Sequence, residues 1–219
     1  MRYIIVMKIA CSADWHRQHS FFDAPKADVL VVAGDYDILG NEEQVFYHCQ
    51  ELEMQFEKLK KKYKKIFFIA GNHDFGLEKY NYTGLFKSAT YLNDSGATYK
   101  KVNFWGSPIS PNFNGWAFGK ERGDELMAHW KTVPDNTNVL ITHGPPYGVL
   151  DRLARSQIDV GDYDLLERIK QLKKLKLHVF GHIHEGYGIE DKLGFNCVNA
   201  RFLNENYICG HNPTIVVDI

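Results

Sequence analysis

Nine Asp, Asn and His side chains fall into five short blocks that recur in fixed order: Asp14-x-His16, Gly34-Asp35, Gly71-Asn72-His73-Asp74, Thr142-His143-Gly144 and Gly181-His182-Ile183-His184. Setting His73 and Asp74 aside, the blocks hold two Asp, one Asn and four His that could ligate metal: Asp14, His16, Asp35, Asn72, His143, His182 and His184. Oxygen and imidazole donors in that number suit a two-metal hydrolytic centre.

Two cations held about 3.5–4 Å apart need an anion between them to offset their repulsion. Asp35 is the natural bridge, because Gly34 lets the chain turn tightly beside it. Asp14 and His16 are two residues apart, so in an extended segment they point the same way and can hold one metal, completed by His184. Asn72, His143 and His182 with Asp35 then form the second site. The amide of Asn72 is a neutral ligand, which keeps the centre attractive to an anion. Donors without thiolate suit manganese, the expected metal, with iron, zinc, nickel or cobalt as alternatives. Two such ions bring a shared water toward ionisation at neutral pH and stabilise charge on a phosphoryl group. His73, beside Asn72 but not needed as a ligand, can contact phosphate or protonate the leaving oxygen. Asp74 is then expected to orient it.

Each block follows a short apolar run: Tyr3–Cys11, Val29–Ala33, Ile66–Ala70, Val139–Thr142 and His178–Phe180. Alternation with helical patterns marks a layered α/β domain, and functional groups just past strand ends are usual in such sheets. The clearest helix is expected over Glu42–Lys65, where Val45, Cys49, Leu52, Phe56, Leu59 and Tyr63 make one apolar stripe. The lysines at its end read as a solvated helix terminus. A second helix is expected over Tyr163–Leu175. Thr90–Val102 reads as a hairpin around Asn93-Asp94-Ser95-Gly96, and Phe104–Gly123 as a long ordered loop. Without repeats or a Pro/Ser-rich linker, residues 1–219 read as one domain.

Composition sets outer bounds. The 219 residues are 44% hydrophobic and 24% charged with a formal net charge of −1, which argues against a nucleic-acid-coating surface. The four cysteines show no CxxC pairing and read as reduced thiols. No apolar run approaches the roughly 20 residues of a membrane span. Lys8 interrupts the apolar start too early for a signal-peptide core, so a cytoplasmic address is expected.

Taken together, the five blocks resemble the calcineurin-like metallophosphoesterase superfamily. The combination of Gly-Asn-His-Asp with Gly-His-x-His is similar to its class III cyclic-nucleotide phosphodiesterase branch. Trp105-Gly106-Ser107-Pro108, Thr142 to Gly148, Val179 to Gly188, Cys197-Val198-Asn199-Ala200 and Pro213 to Asp218 further resemble the metallophosphoesterase-domain-containing subgroup. The likeness implies a four-layer α/β/β/α sandwich of two mixed sheets flanked by helices. It also implies the seven ligands named above and His73 as the catalytic histidine. Asp14 follows Ser12-Ala13 where the family more often has a Ser-Asp pairing, and no ligand is lost.

The expected function is hydrolysis of small phosphodiesters, such as cyclic nucleotides or aryl diesters, by attack of a hydroxide bridging the metals. A protein phosphatase is the alternative, but that branch carries Arg where Ala70 stands and His-Gly-Gly where His143-Gly144-Pro145 stands. A non-catalytic nucleotide-binding regulator would typically have lost a ligand. The partner expected is thus a small phosphoester, with neither nucleic acid nor membrane. Trp116 and Phe118 read mainly as packing for the long loop, His19 as a surface residue, and His48, His129, His178 and His211 as ordinary. Asp37, Asp151 and Asp159 offer only turn or surface readings.

Overall fold

Strands β1 (Lys8–Ser12), β2 (Val29–Ala33), β3 (Lys65–Ile69) and β4 (Thr90–Tyr91) come first in the chain. They are followed by β5 (Ser95–Tyr99), β6 (Val102–Ser107), β7 (Ser110–Pro111) and β8 (Gly119–Lys120). The remainder are β9 (Val139–Thr142), β10 (Leu177–Phe180), β11 (Gly188–Glu190), β12 (Asn196–Asn199) and β13 (Ile215–Asp218). The computed structural model describes residues 6–204, 206–210 and 212–219.

One sheet runs β13-β1-β2-β3-β4, parallel except for the antiparallel edge strand β13, and the other β11-β12-β10-β9-β6-β5, parallel with both edges antiparallel; β7 and β8 pair separately. Successive side chains on a strand face opposite ways, and here both faces are covered. Val29, Val31, Ala33, Phe67 and Ile69 of the first sheet pack with Phe104, Val139, Ile141 and Val179 of the second. Phe67 and Phe104 stack across that interface at 4.3 Å between ring centres. The alternate residues Leu30, Val32 and Phe68 join Val45, Cys49, Leu52 and Phe56 of α1 (Glu42–Leu59). Each such side chain taken fully out of water contributes about 1.5–3 kcal/mol. After α2 (Phe75–Lys79) come α3 (Asp124–Trp130) and α4 (Tyr163–Gln171). Their Leu126, Trp130, Leu165 and Ile169 cluster with Leu140 of β9. Two mixed sheets with helices outside them form the expected α/β/β/α sandwich.

Local boundaries differ from expectation. Asn41 starts α1 through a reciprocal capping box with Gln44, but the helix ends at Leu59, because Lys65 already begins β3. Lys64 N–H donates to Asp28 O at 2.9 Å, setting up the β2–β3 pairing. The predicted stripe survives: Val45, Cys49, Leu52, Phe56, Leu59 and Tyr63 are all buried. Helix α4 likewise ends at Gln171 instead of Leu175, since Leu172 leaves helical geometry.

The expected hairpin is corrected more substantially. Thr90–Tyr91 pairs in parallel with β3, and Asn93-Asp94 carries the chain to the other sheet. The hairpin is β5–β6, turning at Lys100-Lys101, both with positive φ as a tight hairpin turn demands. Phe104–Ser107 is therefore strand, not loop. Gly106 sits in it where a Cβ would meet Leu92 Cβ at 2.5 Å and Ile69 Cγ2 at 2.7 Å. Cys11, Cys49 and Cys197 are buried, Cys209 is half-buried, and all four are free thiols. Of the first apolar run, Tyr3–Ile5 lies outside the described residues, as does His211.

Candidate metal centre

The C-terminal ends of β1, β2 and β3 from one sheet meet those of β9 and β10 from the other, and the five blocks follow those ends. Backbone bonds join the loops: Asp14 N–H donates to Gly34 O, His16 N–H to Asp35 O, and Gly181 N–H to His143 O, all at 2.9–3.0 Å. Asp14, His16, Asp35 and His182 all have positive φ (54°, 39°, 60° and 68°). Non-glycine residues held there cost of order 1–3 kcal/mol each, which concentrates at functional sites. Close approach also dictates Gly71 and Gly181. A Cβ on Gly71 would lie 2.2 Å from Asp35 Oδ1, and one on Gly181 2.1 Å from Asp14 Oδ2.

Asp14, His16 and His184 each place a donor atom within 4.8 Å of the others, as do Asp14, Asp35 and His143. His16 Nε2 lies 3.7 Å from Asp35 Oδ2, while His143 Nε2 lies 3.4 Å from Asp35 Oδ1. Asn72 Oδ1 is 2.6 Å from His143 Nε2 and 2.8 Å from His182 Nδ1. The structure thus gathers all seven sequence-derived donors, divided around Asp35.

Three features fit this set to cations. His143 Nδ1–H donates to Ala33 O at 2.9 Å, which turns Nε2 toward Asn72 and Asp35. His16 Nδ1 is 3.0 Å from Asp37 Oδ1, and its buried Nε2 has no hydrogen-bond partner among the described residues. Two carboxylates, Asp14 and Asp35, are buried together at 0% and 2% exposure.

Electrostatics follow from this crowding. Burial pushes the Asp14 carboxyl up, against the pull of His143. Burial pushes Asp35 up too, but His143, His73 and His16 outweigh it and hold it well below the usual range. Burial disfavours charge on His143, yet Asp35 raises it to about 9, so a metal there displaces a proton. Burial lowers His182 and His184 to about 3, with His143 and Arg201 respectively adding repulsion, leaving neutral imidazoles suited to coordination.

Three expectations need correction. Asp74 does not orient His73. Its buried carboxylate accepts N–H bonds from Gly71 (2.8 Å), Tyr36 (2.9 Å), Asp35 (3.1 Å) and Ile38 (3.2 Å). It stitches the Asp35 loop to the Gly71 loop. Burial and nearby Asp35 push its carboxyl up to about 7, opposed by those amides. The partner of His73 is Asp37, read from sequence as a turn residue: His73 Nδ1 is 3.1 Å from Asp37 Oδ1. Burial would raise Asp37, but its bonds to His16 and His73 bring it down to about 2. Its signal was the Asp35-x-Asp37 spacing.

Trp116 is likewise not core packing. It is partly exposed and its ring lies 4.3 Å from that of His73, whereas Phe118 is buried as expected. Tyr207 lies over the other side, 5.0 Å from the His16 ring and 4.6 Å from that of His184. His19 is half-buried 6.3 Å from the Trp15 ring, away from the cleft. Asp151 organises a turn through Gly148 and Gly161 N–H, and Asp159 pairs with Arg152 at the surface.

A family model described as calcineurin-like phosphoesterase matches residues 7–186, the span that holds every donor just described. The chain belongs to the calcineurin-like phosphoesterase family. Membership makes it a phosphoesterase hydrolase, and the paired Asp/His groups fit a dinuclear divalent-metal site. Among calcineurin-like relatives, metallophosphoesterase domain-containing protein 1 of Homo sapiens is 33% identical over 97% of this chain and 71% of its own length. The Mus musculus protein of that name matches equally. UPF0046 protein K07C11.7 of Caenorhabditis elegans is 32% identical over 91% of this chain and 71% of its own. Among the described residues, no helix is long and apolar enough to cross a membrane.

Proposed function

We propose that residues 1–219 act as one domain that hydrolyses small phosphodiesters with two divalent metal ions, manganese foremost. The observation that carries the dinuclear reading is Asp35: one oxygen faces His16, the other His143. Asp14, His16, Asp35 and His184 would hold one ion, and Asp35, Asn72, His143 and His182 the other. When bound, the ions would supply Lewis-acid charge and bring a water toward ionisation near neutral pH.

The chain's own groups do the rest. His73 stands at the edge of the cleft, its backbone N–H donating to Asp35 Oδ1 at 2.9 Å. With Nδ1–H directed at Asp37, its Nε2 can pass a proton to the leaving oxygen. Trp116 packs against that ring and limits its rotation.

Charge favours a diester over a monoester. The cleft of about 260 Å³ above the centre is lined by His73, Trp116, Tyr207, Leu153 and Glu185 among others, with neither lysine nor arginine among its described residues. A dianionic monoester would call for such a cation, while the single charge of a diester is met by the metals. The test is turnover of bis(4-nitrophenyl) phosphate against 4-nitrophenyl phosphate with Mn²⁺. Metal-dependent preference for the diester is expected, and faster monoester turnover would reverse the assignment.

A further inference from the structure

Next to the metal centre lies a second cavity, of about 360 Å³. Its walls include Phe113, Pro145, Leu153, Val160 and Ile183, with Arg122 at one side. It shares His182, Ile183, Phe113 and Leu153 with the cleft above the centre, so the two spaces adjoin at a proposed metal ligand. Its volume is at the small end of the roughly 300–1,000 Å³ of ligand sites, enough for one ring system and too little for a peptide or nucleic-acid strand. Arg122 donates to Val160 O at 2.7 Å and Gly161 O at 2.8 Å, which holds its planar guanidinium in place. Such a plane, like Phe113, favours stacking against a flat ring.

His73 lines the cleft above the centre but not this cavity. If His73 protonates the leaving oxygen, the cavity on the His182 side faces the ester group that stays on phosphorus. We propose that it seats a flat, uncharged ring on that retained group, making aromatic-bearing diesters the preferred substrates. This rests on the diesterase reading above. In the reaction the P–O bond to the leaving alcohol breaks and the oxygen of water bonds to phosphorus. His73 gives a proton to the leaving oxygen and is restored by one proton of that water, the other goes to solvent, and the product is a monoester that keeps the ring.

The test holds the leaving group constant. Full-length protein with Mn²⁺ is assayed on methyl, phenyl and thymidine-5′ esters of 4-nitrophenyl phosphate, all releasing 4-nitrophenolate. A kcat/KM about tenfold or more higher for a ring-bearing ester than for the methyl ester is expected. Leu153→Trp, which fills the cavity, should collapse that ratio to within about threefold, and Phe113→Ala should lower it. The faster of the phenyl and thymidine esters identifies whether the ring is a simple aryl group or a nucleobase. Equal wild-type rates on methyl and ring-bearing esters, or a ratio unmoved by both variants, overturn the proposal. Calorimetric binding of phenyl phosphate against methyl phosphate gives an independent readout, with about tenfold tighter binding of the phenyl compound expected. No turnover of any ester would defeat the diesterase reading, and equal binding of the two monoesters would then defeat the cavity assignment separately.

Discussion

Oδ1 of Asp37 lies 3.1 Å from Nδ1 of His73, and the same oxygen lies 3.0 Å from Nδ1 of His16. One carboxylate therefore orients both the proposed proton donor and a proposed ligand. Asp37→Ala should lower both kcat and Mn²⁺ affinity by roughly 10–100-fold, as loss of such a partner does elsewhere. Steady-state kinetics across a Mn²⁺ titration check this, and wild-type values for both would remove Asp37 from the site.

Asp74 should behave oppositely. Removing a buried carboxylate that satisfies four amide donors leaves them without partners. Asp74→Ala is expected to cost roughly 3 kcal/mol or more of stability. Urea unfolding measures it, and a midpoint equal to that of wild type would show that the four bonds do not hold the loops.

Asp35 faces both donor sets, so Asp35→Asn should cost more activity than the roughly 10–100-fold typical of an outer partner. His143→Ala should do the same. Metal analysis of the purified variants should show fewer bound ions than the wild type. Full metal content with undiminished diester turnover would rule out the bridging role.

Gly181→Ala tests the close approach to Asp14, because the added Cβ would stand 2.1 Å from Oδ2. Overpacking of this kind costs about 1–3 kcal/mol. Displacement of Asp14 should also weaken Mn²⁺ binding. A thermal melt with and without Mn²⁺ separates the two effects, and a variant that melts like wild type in both conditions would contradict the geometry.

His178 predicts part of the acid limb of stability. It is fully buried, and burial lowers it from 6.5 to about 3. Thr142 Oγ1 donates to Gly144 O and so accepts from His178 Nε2–H, which leaves the ring neutral. Between pH 6.5 and about 3 the unfolded chain binds a proton that the folded chain does not. Stability therefore falls as pH falls through this window, by up to about 1.4 kcal/mol per pH unit from this group. His178→Leu should flatten the slope by that amount in urea unfolding between pH 7 and 4. Parallel curves for variant and wild type would exclude the group.

That Asp14, His16, Asp35, Asn72, His143, His182 and His184 arrive at one place could be read from the chain, because each block follows an apolar run. Parallel strands deliver whatever follows their C-terminal ends to one edge of the sheet. The stripe on α1 was legible for a similar reason, as its spacing alone puts Val45 to Tyr63 on one face. Thr90–Val102 was misread because Thr90–Tyr91 and Ser95–Tyr99 look like consecutive hairpin strands. Their separation into two sheets depends on long-range pairing with β3 and β6.

The roles of Asp74, Asp37 and Trp116 were decided only in three dimensions. Beside His73 in sequence, Asp74 is the obvious partner, yet the amides of Gly71, Asp35, Tyr36 and Ile38 converge on it once β2 and β3 are paired. That leaves the position beside His73 Nδ1 to Asp37, 36 residues earlier in the chain. Trp116 reaches the same ring from the connection between β7 and β8. Local periodicity and strand order determine which groups arrive at the sheet edge. Which of them touch depends on loop paths and buried hydrogen-bond demand, and those are properties of the assembled sandwich.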